Sequence, residues 1–312
     1  MEAHSADIRP SVLLSVDFED WDQLVGRSFG VSDWDQPRPS FERQMRRILD
    51  FLSEIDARVT FFVLGMTARN YPHLVEEIAS AGHELACHGY AHGRVYSQSR
   101  DEFRRDVEES VELIVRLGGR QPVGYRAPAF SINRRTPWAY EILAELGFRY
   151  DSSQYDSPRI PERIRGVPST PYRLELPGGT SLWEFPISVW PLGRLLLPVG
   201  GGSYWRVLPK RILLRAVREV SAVNTHPVLY FHPYEWDSEP LSPQVPPGAS
   251  RKERLHALRA RVWGNLGRQS VARKIHDLAQ EFRLVSYDYA DAEIRARYGA
   301  RSKALSQSGV LV

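Results

Sequence analysis

The feature that most constrains this chain is an alternation. Short apolar runs, SVLLSVDF (Ser11 to Phe18), RVTFFVLG (Arg58 to Gly65), HELACHG (His83 to Gly89), VGYRAP (Val123 to Pro128), FRYDS (Phe148 to Ser152), LWEFPIS (Leu182 to Ser188) and VLYFH (Val228 to His232), read as strands. Helical spacing fills much of the chain between them. Phe41, Met45, Ile48, Leu49, Leu52 and Ile55 repeat with a helical period behind a Ser40 cap, and PHLVEEIASAG reads as a helix stopped by Gly82. Further helices are expected from about Asp101 to Leu117, Thr136 to Leu146 and Leu208 to Val223. Repeated strand and helix units predict an α/β fold with a parallel sheet, open or closed into a barrel. The 312 residues, 42% of them apolar, are enough for one large domain of this kind or two modest ones.

Ionisable groups end strand after strand. Asp17, Glu19 and Asp20 close the first, His88 the third, Arg126 the fourth, Asp151 the fifth, and His232 the run VLYFH. A buried unpaired charge is costly, and catalytic groups of parallel α/β folds gather at the strands' C-terminal ends. The pattern therefore predicts one shared site. Within it His88 and His92 stand four residues apart, and a helical turn through Gly89, Tyr90 and Ala91 would aim both imidazoles at one ion. A carboxylate from the first strand would complete a two-histidine, one-carboxylate site with open positions.

The set DFED (Asp17 to Asp20), HGYAH (His88 to His92), YRAP (Tyr125 to Pro128) and LYFH (Leu229 to His232), in this order, resembles the NodB-homology polysaccharide deacetylases, carbohydrate esterase family 4. The wording VDFEDW, RAPAFS, YDSS and HPYEWD, with WGNLG further on, is similar to the subgroup found in bacterial exopolysaccharide loci. The resemblance implies a distorted (β/α)7 barrel with a C-terminal extension, and metal-dependent removal of an N-acetyl group from an amino sugar. By it, residues 1–10 form a tail, 11–292 the barrel with its extension from about 238, and 293–312 a C-terminal tail.

The resemblance also assigns roles. A divalent metal, zinc first and Co2+, Ni2+ or Mn2+ as alternatives, would sit on His88, His92 and a carboxylate. Strand alternation puts Asp17 and Glu19 on one face, which favours Glu19 as that ligand, with Asp20 the alternative if the strand has already turned. Asp17 would be the general base and Arg126 its partner. His232 would protonate the leaving amine, with Asp151 orienting it. The oxyanion would share the metal with the backbone N–H of Ala129, and Phe130 would supply the aromatic wall that an alanine lacks. Glu235 could contact substrate, form a loop salt bridge or act as an alternative ligand. In the glycine-flanked run PVGGGSYW, Tyr204 and Trp205 could stack on a sugar ring or only pack on the barrel.

Cys87 cannot form an internal disulfide and, as a strand neighbour of His88, should point away from the ion. Neither an export leader nor a membrane span is visible, so cytoplasm is the expected location, and a lipid- or nucleotide-linked precursor of a polysaccharide the favoured substrate. From Arg251 onward thirteen Lys and Arg face six Asp and Glu, which suits an anionic ligand, peripheral contact with the inner membrane face, or simply a solvated helix face. No nucleic-acid signature is present. Two other readings compete: an allantoinase-like hydrolase of cyclic amides, against which both histidines argue, and a catalytically silent glycan-binding barrel, against which Asp17 and His232 argue.

Overall fold

Ser11–Phe18 forms the central strand β1, buried at all eight positions. Its alternation sorts the molecule into inside and outside. Val12, Leu14, Val16 and Phe18 join the large apolar cluster under the helices, while Leu13 joins a second cluster in the interior and Ser15 and Asp17 point to Arg126 there. Truncating an outward residue such as Leu14 to alanine should cost about 2–5 kcal/mol. The computed structural model describes residues 9–27, 29, 36–155, 162–193, 195–304 and 311.

The remaining strands are β2 (Thr60–Val63), β3 (Glu84–Cys87), β4 (Gly124–Tyr125), β5 (Tyr150–Asp151), β6 (Tyr172–Glu175), β7 (Ser181–Glu184), β8 (Val189–Leu192), β9 (Leu195–Pro198), β10 (Val228–Phe231), β11 (Arg283–Val285) and β12 (Ser302–Ala304). Six of them run parallel with β1 in the order β10-β1-β2-β3-β4-β5-β7. The chain just past β7 then turns back to the other edge. Phe185 and Ile187 donate to the carbonyls of Asp151 and Gln154 beside β5, and Ser188 donates to Val228 on β10 at 3.2 Å. These irregular contacts bring the ends of the sheet together, so the expected seven-stranded barrel is present in distorted form.

Around the sheet lie α1 (Trp21–Arg27), α2 (Pro39–Glu54), α3 (Gly65–Asn70), α4 (Pro72–Ser80), α5 (Arg100–Gly118), α6 (Trp138–Glu145), α7 (Ser203–Val207), α8 (Lys210–Val223), α9 (Arg251–Asn265), α10 (Val271–Glu281) and α11 (Tyr287–Tyr298). None of the described helices is long and apolar enough to cross a membrane.

Local chemistry moved several expected boundaries. Arg38 is the cap residue of α2 and Pro39 lies in its first turn, so Ser40 is inside the helix, where its hydroxyl bonds Asp22. The glycine-flanked run begins at the end of β9 and runs through its glycines into α7. The expected tail from residue 293 begins within α11, whose Ile294 and Tyr298 are buried, and β12 pairs in parallel with β6. Residues 293–304 thus belong to the fold, and 305–310 lie outside the described residues.

Candidate metal and catalytic site

Glu19, one residue past β1, collects three imidazoles. Its Oε2 lies 3.0 Å from His92 Nε2 and 3.4 Å from His88 Nε2, and its Oε1 lies 3.3 Å from His232 Nε2. The ligand atoms of Glu19, His88 and His92 fall within 4.8 Å of one another, as a shared ion requires. The histidines do not meet on a helical turn as expected. They converge through a loop in which Gly89 and His92 take positive φ of 73° and 53°, and Asp106 on α5 accepts from the backbone N–H groups of Tyr90 and Ala91 at 2.8 and 3.0 Å. A Cβ at residue 89 would stand 2.7 Å from Asp106 Oδ2, so glycine is needed there sterically as well as conformationally.

The donor set fits a divalent cation. His88 Nδ1 is 2.8 Å from the carbonyl oxygen of Arg126, and a carbonyl can only accept; the proton therefore sits on Nδ1 and the Nε2 lone pair faces Glu19. Glu19 Oε2 is buried and accepts no hydrogen bond. Burial resists the charge on Glu19, but the neighbouring imidazoles of His92 and His88 hold its carboxyl well below the usual range. The His88 lone pair directed at a buried carboxylate oxygen with no hydrogen bond is what a cation would satisfy.

Asp20 stands outside this cluster. Its Oδ1 accepts from the N–H groups of Asp22 and Gln23 at the start of α1 and its Oδ2 from Tyr71 at 3.0 Å, so it serves as a helix cap. Burial, with the neighbouring charge of Asp22, raises it to about 6. Cys87 faces outward into the apolar cluster, and burial pushes its thiol up to about 12.

Asp17 lies beside this cluster and is held by Arg126. The guanidinium, fully buried, donates Nη1 to Asp17 Oδ1 at 2.6 Å and to Ser15 Oγ at 2.9 Å, Nη2 to Ser152 Oγ and Tyr287, and Nε to the Ser152 carbonyl. Its carbon sits 3.9 Å from the Phe62 ring centre. Every direction in which this side chain could turn is occupied.

His232 Nε2 is 3.9 Å from Asp17 Oδ2. The expected orienting residue, Asp151, does not reach it: Asp151 bonds Ser153 and Glu184, and burial lifts both carboxyls above their usual range. Glu235 takes that place instead. Its Oε2 accepts from the His232 N–H at 3.0 Å and lies 3.3 Å from Nδ1, while its Oε1 is 3.3 Å from Arg206 Nε. Burial opposes a charged His232, but the bond to Glu235 and the carboxylates of Glu19 and Asp17 push it up to about 9. Glu235 is thus buried in ion pairs with His232 and Arg206, the salt-bridge alternative, and lies outside the cluster of Glu19, His88 and His92.

A cavity of about 200 Å³ opens beside His232, walled by Tyr155, Tyr204, Tyr230 and Tyr234, with Gly201 and Gly202 on its floor. Tyr204 is where a sugar-facing aromatic was expected. Trp205 is not, because it is buried and its indole N–H bonds the Val199 carbonyl at 2.8 Å. Ala129 is exposed with φ 52°, and Phe130, with φ 53°, packs edge-on against Tyr155 and Tyr230 at the same wall. Two successive non-glycine residues at positive φ are strained, a frequent property of functional loops. A larger cavity of about 460 Å³ lies at the opposite end of β1 near Arg58 and Arg283 and includes none of these groups.

Sequence reasoning missed four contributors. Ser15 and Asp106 carried a weak signal through strand alternation and helix placement; Arg206 and Tyr287 carried none, since their roles arise only from tertiary contact with Glu235 and Arg126.

The polysaccharide deacetylase family model matches residues 34–150, and a domain of unknown function (DUF3473) matches 152–291. A peptidoglycan-N-acetylglucosamine deacetylase of Bacillus cereus is 34% identical over 96 residues, 30% of this chain and 35% of that protein. A peptidoglycan deacetylase of Helicobacter pylori is 30% identical over 119 residues, 38% of this chain and 40% of its own length. A chitooligosaccharide deacetylase of Rhizobium leguminosarum is 36% identical over 81 residues, 26% and 36% of the two chains. The chain thus spans well under half the length of these relatives. A crystal structure from Mycobacterium smegmatis, itself provisionally assigned as a polysaccharide deacetylase, superposes with a TM-score of 0.62 at 23% identity, covering 95% of this chain and 93% of that one, and shares the fold.

Proposed function

The chain carries a polysaccharide deacetylase domain, and from that premise we propose that it hydrolyses the N-acetyl group of an N-acetylhexosamine unit in a bacterial polysaccharide or in its lipid- or nucleotide-linked precursor. The observation that carries this reading is the convergence of Glu19, His88 and His92 with two further pairs, Asp17–Arg126 and His232–Glu235, in one buried cluster beside an aromatic cavity.

Glu19, His88 and His92 would hold a divalent cation, zinc by the nature of the donors, which when bound supplies Lewis-acid polarisation of the acetyl carbonyl and acidifies water. Asp17 acts as general base, its Oδ1 fixed by Arg126 so that Oδ2 faces the reacting centre. His232 carries a proton under the influence of Glu235 and delivers it to the departing amine, which leaves poorly as an anion. The backbone N–H of Ala129 contributes an oxyanion donor, and Phe130, Tyr155, Tyr204 and Tyr230 wall the sugar ring.

The test is acetate release from N-acetylglucosamine oligomers, UDP-N-acetylglucosamine and allantoin, using protein stripped with chelator and then reloaded with zinc. Zinc-restored acetate release from an amino sugar is expected. Turnover of allantoin by the stripped protein, with no acetate from any sugar, would replace the proposal with cyclic-amide hydrolysis.

A further inference from the structure

Helix α9 packs in reverse. A surface helix ordinarily turns its large apolar residues to the body and its charges to water. In α9 the residues toward the body are small: Ala257 and Gly264 are buried and Ala260 is half-buried. Gly264 is pressed so close that a Cβ would meet the Trp21 ring at 3.1 Å and Leu241 at 3.2 Å. Leu255, Leu258, Val262, Trp263 and, just past the helix, Leu266 are instead 47–60% exposed. Leu255, Leu258, Val262 and Leu266 recur at helical spacing on the stripe directly away from Ala257, Ala260 and Gly264.

We propose that this outward stripe docks the protein onto an anionic lipid surface. Exposed apolar side chains of this number call for a partner, and the charges on the same helix select it. Arg251, Lys252, Arg254, Arg259 and Arg261 are all exposed, whereas the one acid of the helix, Glu253, is engaged in the cap with Ser250. A second copy packed on this helix through a two-fold axis would set these cations against their own equivalents. An apolar stripe bearing a tryptophan and flanked by Arg and Lys matches the boundary between lipid headgroups and acyl chains.

The helix is also tied to the site. Arg206, which faces Glu235, donates to the Gly264 carbonyl at 3.1 Å, and Trp21 packs against Tyr234, whose ring stacks on His232. The docking face and the catalytic histidine are therefore joined through two intervening rings. Docking by α9 does not depend on which reaction the site performs.

Sedimentation of the full chain with vesicles tests the proposal. Binding to phosphatidylglycerol-containing vesicles is expected, with little to phosphatidylcholine alone and less of both when salt is raised. The double variant Leu258→Ser/Val262→Ser should lower the partition coefficient at least about tenfold. Arg251→Gln/Lys252→Gln/Arg259→Gln should do the same by a separate route. Because all five positions are exposed, each variant should keep the wild-type melting temperature and acetate release from a soluble substrate. Wild-type protein left in the supernatant with anionic vesicles would overturn the proposal. So would a concentration-dependent dimer that the Leu258→Ser/Val262→Ser variant splits, which would make the stripe an interface between copies.

Discussion

The Nδ1–H of His88 donates to the backbone carbonyl of Arg126 at 2.8 Å, and the side chain of that same arginine grips Asp17. One residue thus orients an imidazole of the proposed metal site with its main chain and the proposed general base with its side chain. The two functions separate by mutation. Arg126→Lys keeps the carbonyl and a positive charge but loses the planar fork that meets Asp17, Ser15, Ser152 and Tyr287 at once. Zinc stoichiometry measured by mass spectrometry should stay at wild-type level while kcat falls about a hundredfold. Loss of zinc together with activity would show that the two tasks are not separable.

Glu19 and Asp20 are adjacent but perform different work, and their amides should differ accordingly. Glu19→Gln should weaken zinc binding by several orders of magnitude in a chelator competition, because it removes the one carboxylate of the donor set. Asp20→Asn should bind zinc normally and lose less than about 1 kcal/mol of stability, asparagine being as good an N-cap as aspartate. Equal zinc loss in both variants would make Asp20 a ligand.

Glu235→Gln tests the positioning of His232. The variant leaves the tyrosine-walled cavity intact while removing the carboxylate that orients and charges the imidazole. The expectation is a fall in kcat of about tenfold or more with KM within a factor of about two. Asp151→Asn should spare this step, since Asp151 bonds Ser153 and Glu184 rather than His232.

Buried Glu84, at the other end of the interior, gives the protein a pH-dependent stability. Burial and the charge of Asp288 raise its carboxyl from the ordinary 4.5 to about 7. The folded state therefore favours the protonated form. That contribution is fully present below pH 4.5 and is lost as pH rises through about 7, on the order of 3 kcal/mol in all. Urea titrations across this range should show wild type weakening toward alkaline pH relative to Glu84→Gln, whose own curve lacks this term. Parallel curves would mean that Glu84 stays charged, solvated by Thr60, Tyr150 and the N–H groups of Tyr287 and Asp288.

The barrel and most of its site were legible because period-two alternation and strand ends are local properties. Asp17, Glu19 and His232 could be placed by them, and Cys87 could be turned outward. What could not be read was any role created by folding back. Asp151 and Glu235 are both acids near a strand end; only the tertiary path decides that Glu235, three residues past His232, reaches its ring while Asp151 meets Glu184. Trp205 likewise follows flexible glycines as an exposed aromatic would, yet the turn of α7 carries it beneath the cavity to Val199. The loop from His88 to His92 misled for a third reason: four-residue spacing suggests a helix, but Gly89 and the clamp from Asp106 offer another way to join two imidazoles.

Strand β1 lies between partners from both ends of the chain: Leu13 is in register with Val228 and with Val285, and Ser15 with Thr60. During synthesis, then, β1 leaves the ribosome well before two of its neighbours, β10 and β11, which lie far downstream in the chain. Such long-range pairing is slow and leaves an apolar ribbon uncovered in the meantime. Since Asp17 and Glu19 sit at the end of that ribbon, the nascent chain cannot hold these two carboxylates in place early; the site should assemble abruptly, when β10 and β11 dock.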